Sequence, residues 1–198
     1  MTVENNLNKK NLHHITLGNA RFEPKNDDYY ASPPEIIDYL LECETFDNNI
    51  WECACGDGAL SKRLDHYGYN VKSTDLVYRG YGSKESVDFL KQSKPFDGDI
   101  ITNPPFNKIN EFILKGYELT NNKLAIFGKV QILESIKRFE KIHSPIPFSR
   151  MYVFVRRVSC YKNGIKGDYG STVCYCWFIW DKSYDGEPIV RWINNVDK

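Results

Sequence analysis

The sequence predicts an α/β domain: a mostly parallel sheet with helices on both faces and an antiparallel hairpin closing one edge. Three observations carry this. A strand, a glycine turn, a helix and a second strand follow one another between residues 49 and 76, which is a βαβ unit. A third strand stops at Asn103-Pro104-Pro105, because two prolines cannot continue a ladder. Two late strands then lack the long crossover that parallel pairing requires. At 198 residues the chain amounts to one domain, long enough to bury a core.

The first 25 residues, rich in Asn and Lys, read as a loosely ordered lead-in to a single domain over 26–198. Ser32-Pro33-Pro34-Glu35 has the form of a capping box with proline at the first helical position. The apolar face of Ile36, Ile37, Leu40 and Leu41 then predicts a helix to about Glu44. Residues 49–54 form a short apolar strand, Gly56-Asp57-Gly58 a turn, 59–64 a helix, and 69–76 a strand ending on Asp75. Strands are expected at 98–102 and 123–130, with a helix over Ile109–Leu119 between them. The closing hairpin pairs 151–158 with 173–180 across a polar loop containing Gly164 and Gly167.

Composition narrows the class. With 41% hydrophobic and 26% charged residues the chain is average for globular proteins, which disfavours disordered, collagen-like and coiled-coil classes. No apolar run approaches the ~18 residues needed to cross a bilayer and residues 1–10 are polar, so a cytoplasmic protein without membrane contact is expected. Twenty-six basic and 26 acidic residues balance overall, but residues 134–166 hold eight basic against two acidic, which permits a polyanion on one face. Lys137, Arg138, Lys141, Arg150, Arg156 and Arg157 are candidates to follow a phosphate backbone. The six cysteines form no CxxC pair and lack histidines at metal-site spacing, so no metal centre is expected.

Two motifs carry chemistry. Glu52-x-x-x-Gly56-Asp57-Gly58 lets backbone approach a ligand at the mouth of the sheet, and Asp75, 19 residues after Gly56, is placed to accept hydrogen bonds from a ribose. Ser61 stands where the dinucleotide fingerprint G-x-G-x-x-G has its third glycine, which weakens a pyrophosphate reading. Asn103-Pro104-Pro105-Phe106 supplies a carboxamide oxygen, a stiffened carbonyl at Pro104 and an aromatic plate. Two acceptors beside a plate suit a planar heterocycle bearing an exocyclic amine.

Together these motifs resemble the class I S-adenosylmethionine-dependent methyltransferases, and within them the small phage and prophage enzymes that modify the N6 nitrogen of adenine in DNA. The likeness covers about 27–192. It implies a Rossmann-like fold with a mostly parallel seven-stranded sheet, S-adenosylmethionine as cofactor, and Asn103, Pro104, Pro105 and Phe106 as the catalytic tetrapeptide. The segment of Asp27, Tyr29, Tyr30, Ser32 and Pro33 resembles the lining of the methionine end of the cofactor pocket. Glu52, Ala54, Cys55, Gly56, Asp57 and Gly58 resemble the loop after the first strand, Asp75 and Leu76 the ribose-binding acid and its neighbour, and Asp88 and Phe89 the contact to the cofactor's adenine. No separate target-recognition domain is visible, so sequence selection would come from loops or a partner protein. Nucleic acid is the expected partner, DNA ahead of RNA; methylation of a protein glutamine, and a catalytically silent fold that binds nucleic acid or a partner, are the alternatives.

Overall fold

The computed structural model describes residues 30–162 and 172–196. The chain enters through β1 (Tyr30–Ala31) and α1 (Glu35–Leu41), then builds β2 (Asn49–Glu52), α2 (Ala59–His66) and β3 (Asn70–Ser73). β4 (Asp99–Thr102), α3 (Ile109–Leu119) and β5 (Lys123–Lys129) follow. A short helix α4 (Ile136–Arg138) widens into a π turn over Phe139–His143, and β6 (Arg150–Phe154), β7 (Tyr161–Lys162), β8 (Tyr175–Asp181) and β9 (Ile189–Ile193) complete the path.

Seven strands form one sheet in the order β3-β2-β4-β5-β8-β6-β9, while β1 and β7 make a small antiparallel ribbon. β3, β2, β4 and β5 pair in parallel; β8 alone is reversed, lying antiparallel between β5 and β6. Every residue of β4 is buried, as are the interiors of β5 and β8, because helices cover both faces. On one face Ile36, Ile37 and Leu40 of α1 and Leu60 and Leu64 of α2 meet Phe127 and Trp177. On the other, Phe112 and Ile113 of α3 pack against Ile100, Ile126 and Trp180.

Three expectations need correction. The β6–β8 hairpin does not close the edge: β9 pairs in parallel with β6 outside it. That strand was hidden because Val190, Arg191 and Trp192 are all exposed, leaving no inward alternation to read. The capping box does not form either, since α1 starts at Glu35 with no side-chain cap and ends at Leu41. Finally, β3 ends at Ser73 rather than continuing to residue 76, so Asp75 lies in the loop beyond the strand.

Glu44, expected as the end of α1, instead anchors a buried cluster at the amino ends of β5 and β6. Its carboxylate pairs with Arg150 and accepts from Lys123 Nζ at 3.2 Å and Tyr152 OH at 2.7 Å, while Arg150 also donates to Asp181 at 2.7 Å. Arg150 is therefore consumed within the fold and does not face a phosphate backbone. Removing one partner of a buried ion pair leaves an uncompensated charge. Glu44→Ala should thus lower unfolding free energy by about 3 kcal/mol in urea titrations, and a change below about 1 kcal/mol would show the cluster to be neutral.

Candidate functional site

Because β2, β3 and β4 run the same way, their carboxyl ends deliver three loops to one end of the sheet. From β2 the chain turns through Gly56 and Gly58, both in the left-handed region at φ 57° and 84°. A Cβ at Gly58 would lie 2.2 Å from the Tyr81 ring, so only glycine fits beneath that aromatic. Past β3, the Asp75 carboxylate accepts from the backbone N–H of Gly56 at 2.8 Å and of Val77 at 2.9 Å. Cys55 N–H donates to the carbonyl of Thr74 at 3.0 Å, which locks the two loops side by side.

Between these loops and the end of β4 lies a cavity of about 390 Å³, within the ~300–1,000 Å³ of small-molecule sites. Ser32, Glu52, Ala54, Cys55, Asp57, Asp75, Leu76, Asp88 and Phe89 line it, as do Asn103, Pro104 and Pro105. The glycine turn and the Asn-Pro-Pro loop therefore share one chamber. Its floor is acidic. Glu52 is 2% exposed and accepts from Ser61 Oγ at 2.6 Å, and Ser61 accepts from Ser73 Oγ at 2.8 Å. Burial, outweighing the bond from Ser61, raises the Glu52 carboxyl to about 8. Burial also pushes the Cys55 thiol up to about 12, which makes it a packing residue rather than a nucleophile.

The Asn103 carboxamide is held by Ser32: Nδ2 donates to Ser32 Oγ at 2.7 Å. The hydroxyl that sequence reading assigned to a helix cap is used to orient this amide. Phe106 points elsewhere. It opens a 3₁₀ turn, Phe106–Lys108, and lines a second cavity of about 280 Å³ with Lys129, Ile132, Ser135 and Arg138. Its ring stands 5.8 Å from that of Tyr175, which stacks on Phe127 at 5.4 Å, and Lys129 Nζ lies 4.4 Å above it.

Of the remaining expected site residues, Pro33, Gly56 and Gly58 are not part of the first cavity's wall, although their neighbours Cys55 and Asp57 are. The backbone of Tyr30 pairs with Lys162, and Asp27 and Tyr29 lie outside the described residues. Phe89 lines the cavity but is chiefly core, stacked on Phe112 at 5.0 Å and edge-on to Trp51 at 5.2 Å. Sequence reading missed Val77, Arg79 and Lys108 in the wall. The glycines at 80 and 82 just after Asp75 were the available signal for a folded-back loop.

No protein-family model matches the sequence, and no curated protein does. Solved structures do. A protein from Listeria monocytogenes, provisionally assigned to the class I S-adenosylmethionine-dependent methyltransferases, superposes with a TM-score of 0.57 at 15% identity over 83% of this chain. A modification subunit from Vibrio vulnificus, provisionally assigned to a type I restriction enzyme, gives 0.57 at 12% identity over 85%. The chain spans 65% of the first neighbour and 48% of the second. It shares the Rossmann-like fold of the class I methyltransferases.

The raised Glu52 carboxyl makes the fold pH-sensitive. An unfolded chain releases this proton near 4.5 and the folded one near 8, so between those values the folded state holds a proton that the unfolded state lacks. Stability must fall as pH rises through that window. Melting curves from about pH 5 to about pH 9 should show this decline in the native chain and a flatter profile in Glu52→Gln, with the change amounting to a few kcal/mol. Identical slopes would assign the effect to another group.

Proposed function

We propose that this chain transfers a methyl group from S-adenosylmethionine to the N6 amine of adenine, in DNA ahead of RNA. The observation that carries the reading is the position of the Asn103-Pro104-Pro105-Phe106 loop. Asn103 and both prolines form one wall of the larger cavity while Phe106 faces the smaller one. One loop thus stands between a chamber for a cofactor and a chamber for a flat base.

The residues present fit the cofactor. Asp75 lies where it can accept from a ribose, and the cavity it lines together with Asp57 and Asp88 is of a size for a nucleoside-bearing ligand. Bound there, S-adenosylmethionine would supply an electrophilic sulfonium methyl group. The chain's own part is positioning. An exocyclic amine is a poor nucleophile while its lone pair is delocalised into the ring. Accepting its two hydrogens at Asn103 Oδ1 and the Pro104 carbonyl favours a pyramidal nitrogen with its lone pair directed at the larger cavity. Ser32, by fixing the Asn103 amide plane, preorganises the first acceptor. Phe106 stacks on a base turned out of its strand, and the methylated amine loses its extra proton to water.

The fold is one that a restriction enzyme's modification subunit also uses, which is in keeping with a DNA substrate; sequence selection would fall to loops or a partner protein. The test is transfer of a labelled methyl group to duplex DNA, single-stranded DNA, structured RNA and a protein extract. Label should enter adenine-containing DNA, and Asn103→Ala should lower transfer ~100-fold or more while cofactor affinity survives, since losing one preorganised acceptor costs about 3 kcal/mol. Label in RNA or protein alone would replace the substrate, and undiminished transfer by Asn103→Ala would remove its role.

A further inference from the structure

The fold sorts the six basic side chains that are candidates to follow a phosphate backbone. Arg150 is enclosed by Glu44 and Asp181. Arg138 engages Asn110 Oδ1 at 2.8 Å and the carbonyls of Gln131 at 2.6 Å and Glu134 at 2.7 Å, which makes it a strut. Lys137 and Lys141 share their short helical stretch with Glu134 and Glu140, all four exposed, so their charges are offset. Arg156 and Arg157, just past the end of β6, are left. Both are exposed, and neither has a carboxylate partner among the described residues.

Their backbone is fixed. Arg156 N–H donates to Asn195 Oδ1 at 2.7 Å and Asn195 Nδ2 donates to the Arg156 carbonyl at 2.8 Å, so one buried amide grips the residue at both its polar groups. Val155 N–H bonds the Ile193 carbonyl at 3.0 Å, and Val158 is buried on the far side of the pair. β6 runs parallel to β5, since both are antiparallel to β8, so its last residues emerge at the end of the sheet that holds the Asn103 loop. From there the chain runs to the site itself. Tyr161 in β7 pairs with Ala31, next to Ser32, and the Cys160 side chain bonds those of Ser32 and Tyr175. Three residues of chain span at most about 11 Å, so Arg157 stands no farther than that, Cα to Cα, from Cys160.

The field at this corner is positive. Residues 150–162 and 189–196 contain no Asp or Glu, and Arg191 in β9 is a third exposed cation. Glu134, on the wall of the smaller cavity, stands with Lys129 and Arg138 of the same wall. Asp57 and Asp75 follow β2 and β3, and β2 lies four strand spacings from β6, about 19 Å. That exceeds the Debye length of about 8 Å at physiological salt, so these acids do not cancel the arginines.

We infer that Arg156 and Arg157 hold the phosphate chain of the DNA strand whose base enters the site. This inference rests on the methyl-transfer reading above. The occupant is a phosphate chain because two adjacent guanidinium groups, without carboxylates of their own and on a clamped backbone, match successive phosphates in charge and in the fork geometry of their donors.

The probe is a fluorescein-labelled, mixed-sequence DNA duplex followed by anisotropy over a salt series, with melting temperature as the check on folding. Arg156→Gln with Arg157→Gln should weaken binding about tenfold or more at about 0.1 M salt and lower the slope of log affinity against log salt by about two. Arg156→Lys with Arg157→Lys should keep the slope, because the charge remains. Lys137→Gln with Lys141→Gln removes the same charge from the offset segment and should leave the slope unchanged. A native slope in the Arg→Gln pair, an equal loss of slope in the lysine pair, or no duplex binding by the native chain would overturn the inference. Methyl transfer separates the two readings: duplex binding through the arginines without transfer to adenine removes the substrate proposed above and keeps this surface, whereas adenine methylation with a native slope in the Arg→Gln pair does the reverse.

Discussion

Strand direction is the constraint from which the site follows. Since β2, β3 and β4 are parallel neighbours, the residues that leave them, Cys53, Thr74 and Asn103, must emerge at one end of the sheet. Residues 52, 75 and 103 are far apart in sequence, yet they line one chamber. The Asp75 carboxylate tightens the convergence by taking the Gly56 N–H, a charge-assisted bond that joins the loops of two adjacent strands. Together with the Cys55 N–H bond to the Thr74 carbonyl, it fixes the depth of the glycine turn.

A second tie comes from outside the parallel core. Ser32 stands just before α1 and grips the amide of Asn103 across a separation of 71 residues. The entry of the chain is thus coupled to the loop after β4. Behind that loop, Phe106, Tyr175 and Phe127 continue as an aromatic row into β8 and β5, with Lys129 over the outermost ring. The reversed strand therefore backs the Phe106 ring where it faces the smaller chamber. Its position between β5 and β6 serves geometry at the site as well as closure of the sheet.

Much of this was legible in the sequence, for identifiable reasons. α3 could be read to the residue, because its apolar positions repeat cleanly and Pro104 and Pro105 fix the boundary before it. The shared chamber followed from a glycine turn, an acid and an Asn-Pro-Pro stop in βαβ order. What escaped were features set by partners distant in the chain. Ser32 has the local signature of a helix cap, but it is spent on Asn103, and a local rule cannot see a competitor 71 residues away. Arg150 looked like a surface cation and is instead enclosed by Glu44 and Asp181. β9 has too few inward side chains to signal a strand, and Phe106 was placed with its tetrapeptide although the turn after Pro105 carries it to the other chamber.

The account's central claim is chemical: two acceptors at the end of β4 present an adenine amine to a sulfonium methyl. The most direct measurement is mass-spectrometric analysis of the nucleosides released from duplex DNA after incubation with the protein and S-adenosylmethionine. N6-methyl-2′-deoxyadenosine as the new species is the result the account predicts. A methyl group on cytosine, or unmodified DNA from a protein that binds both cofactor and duplex, would contradict it.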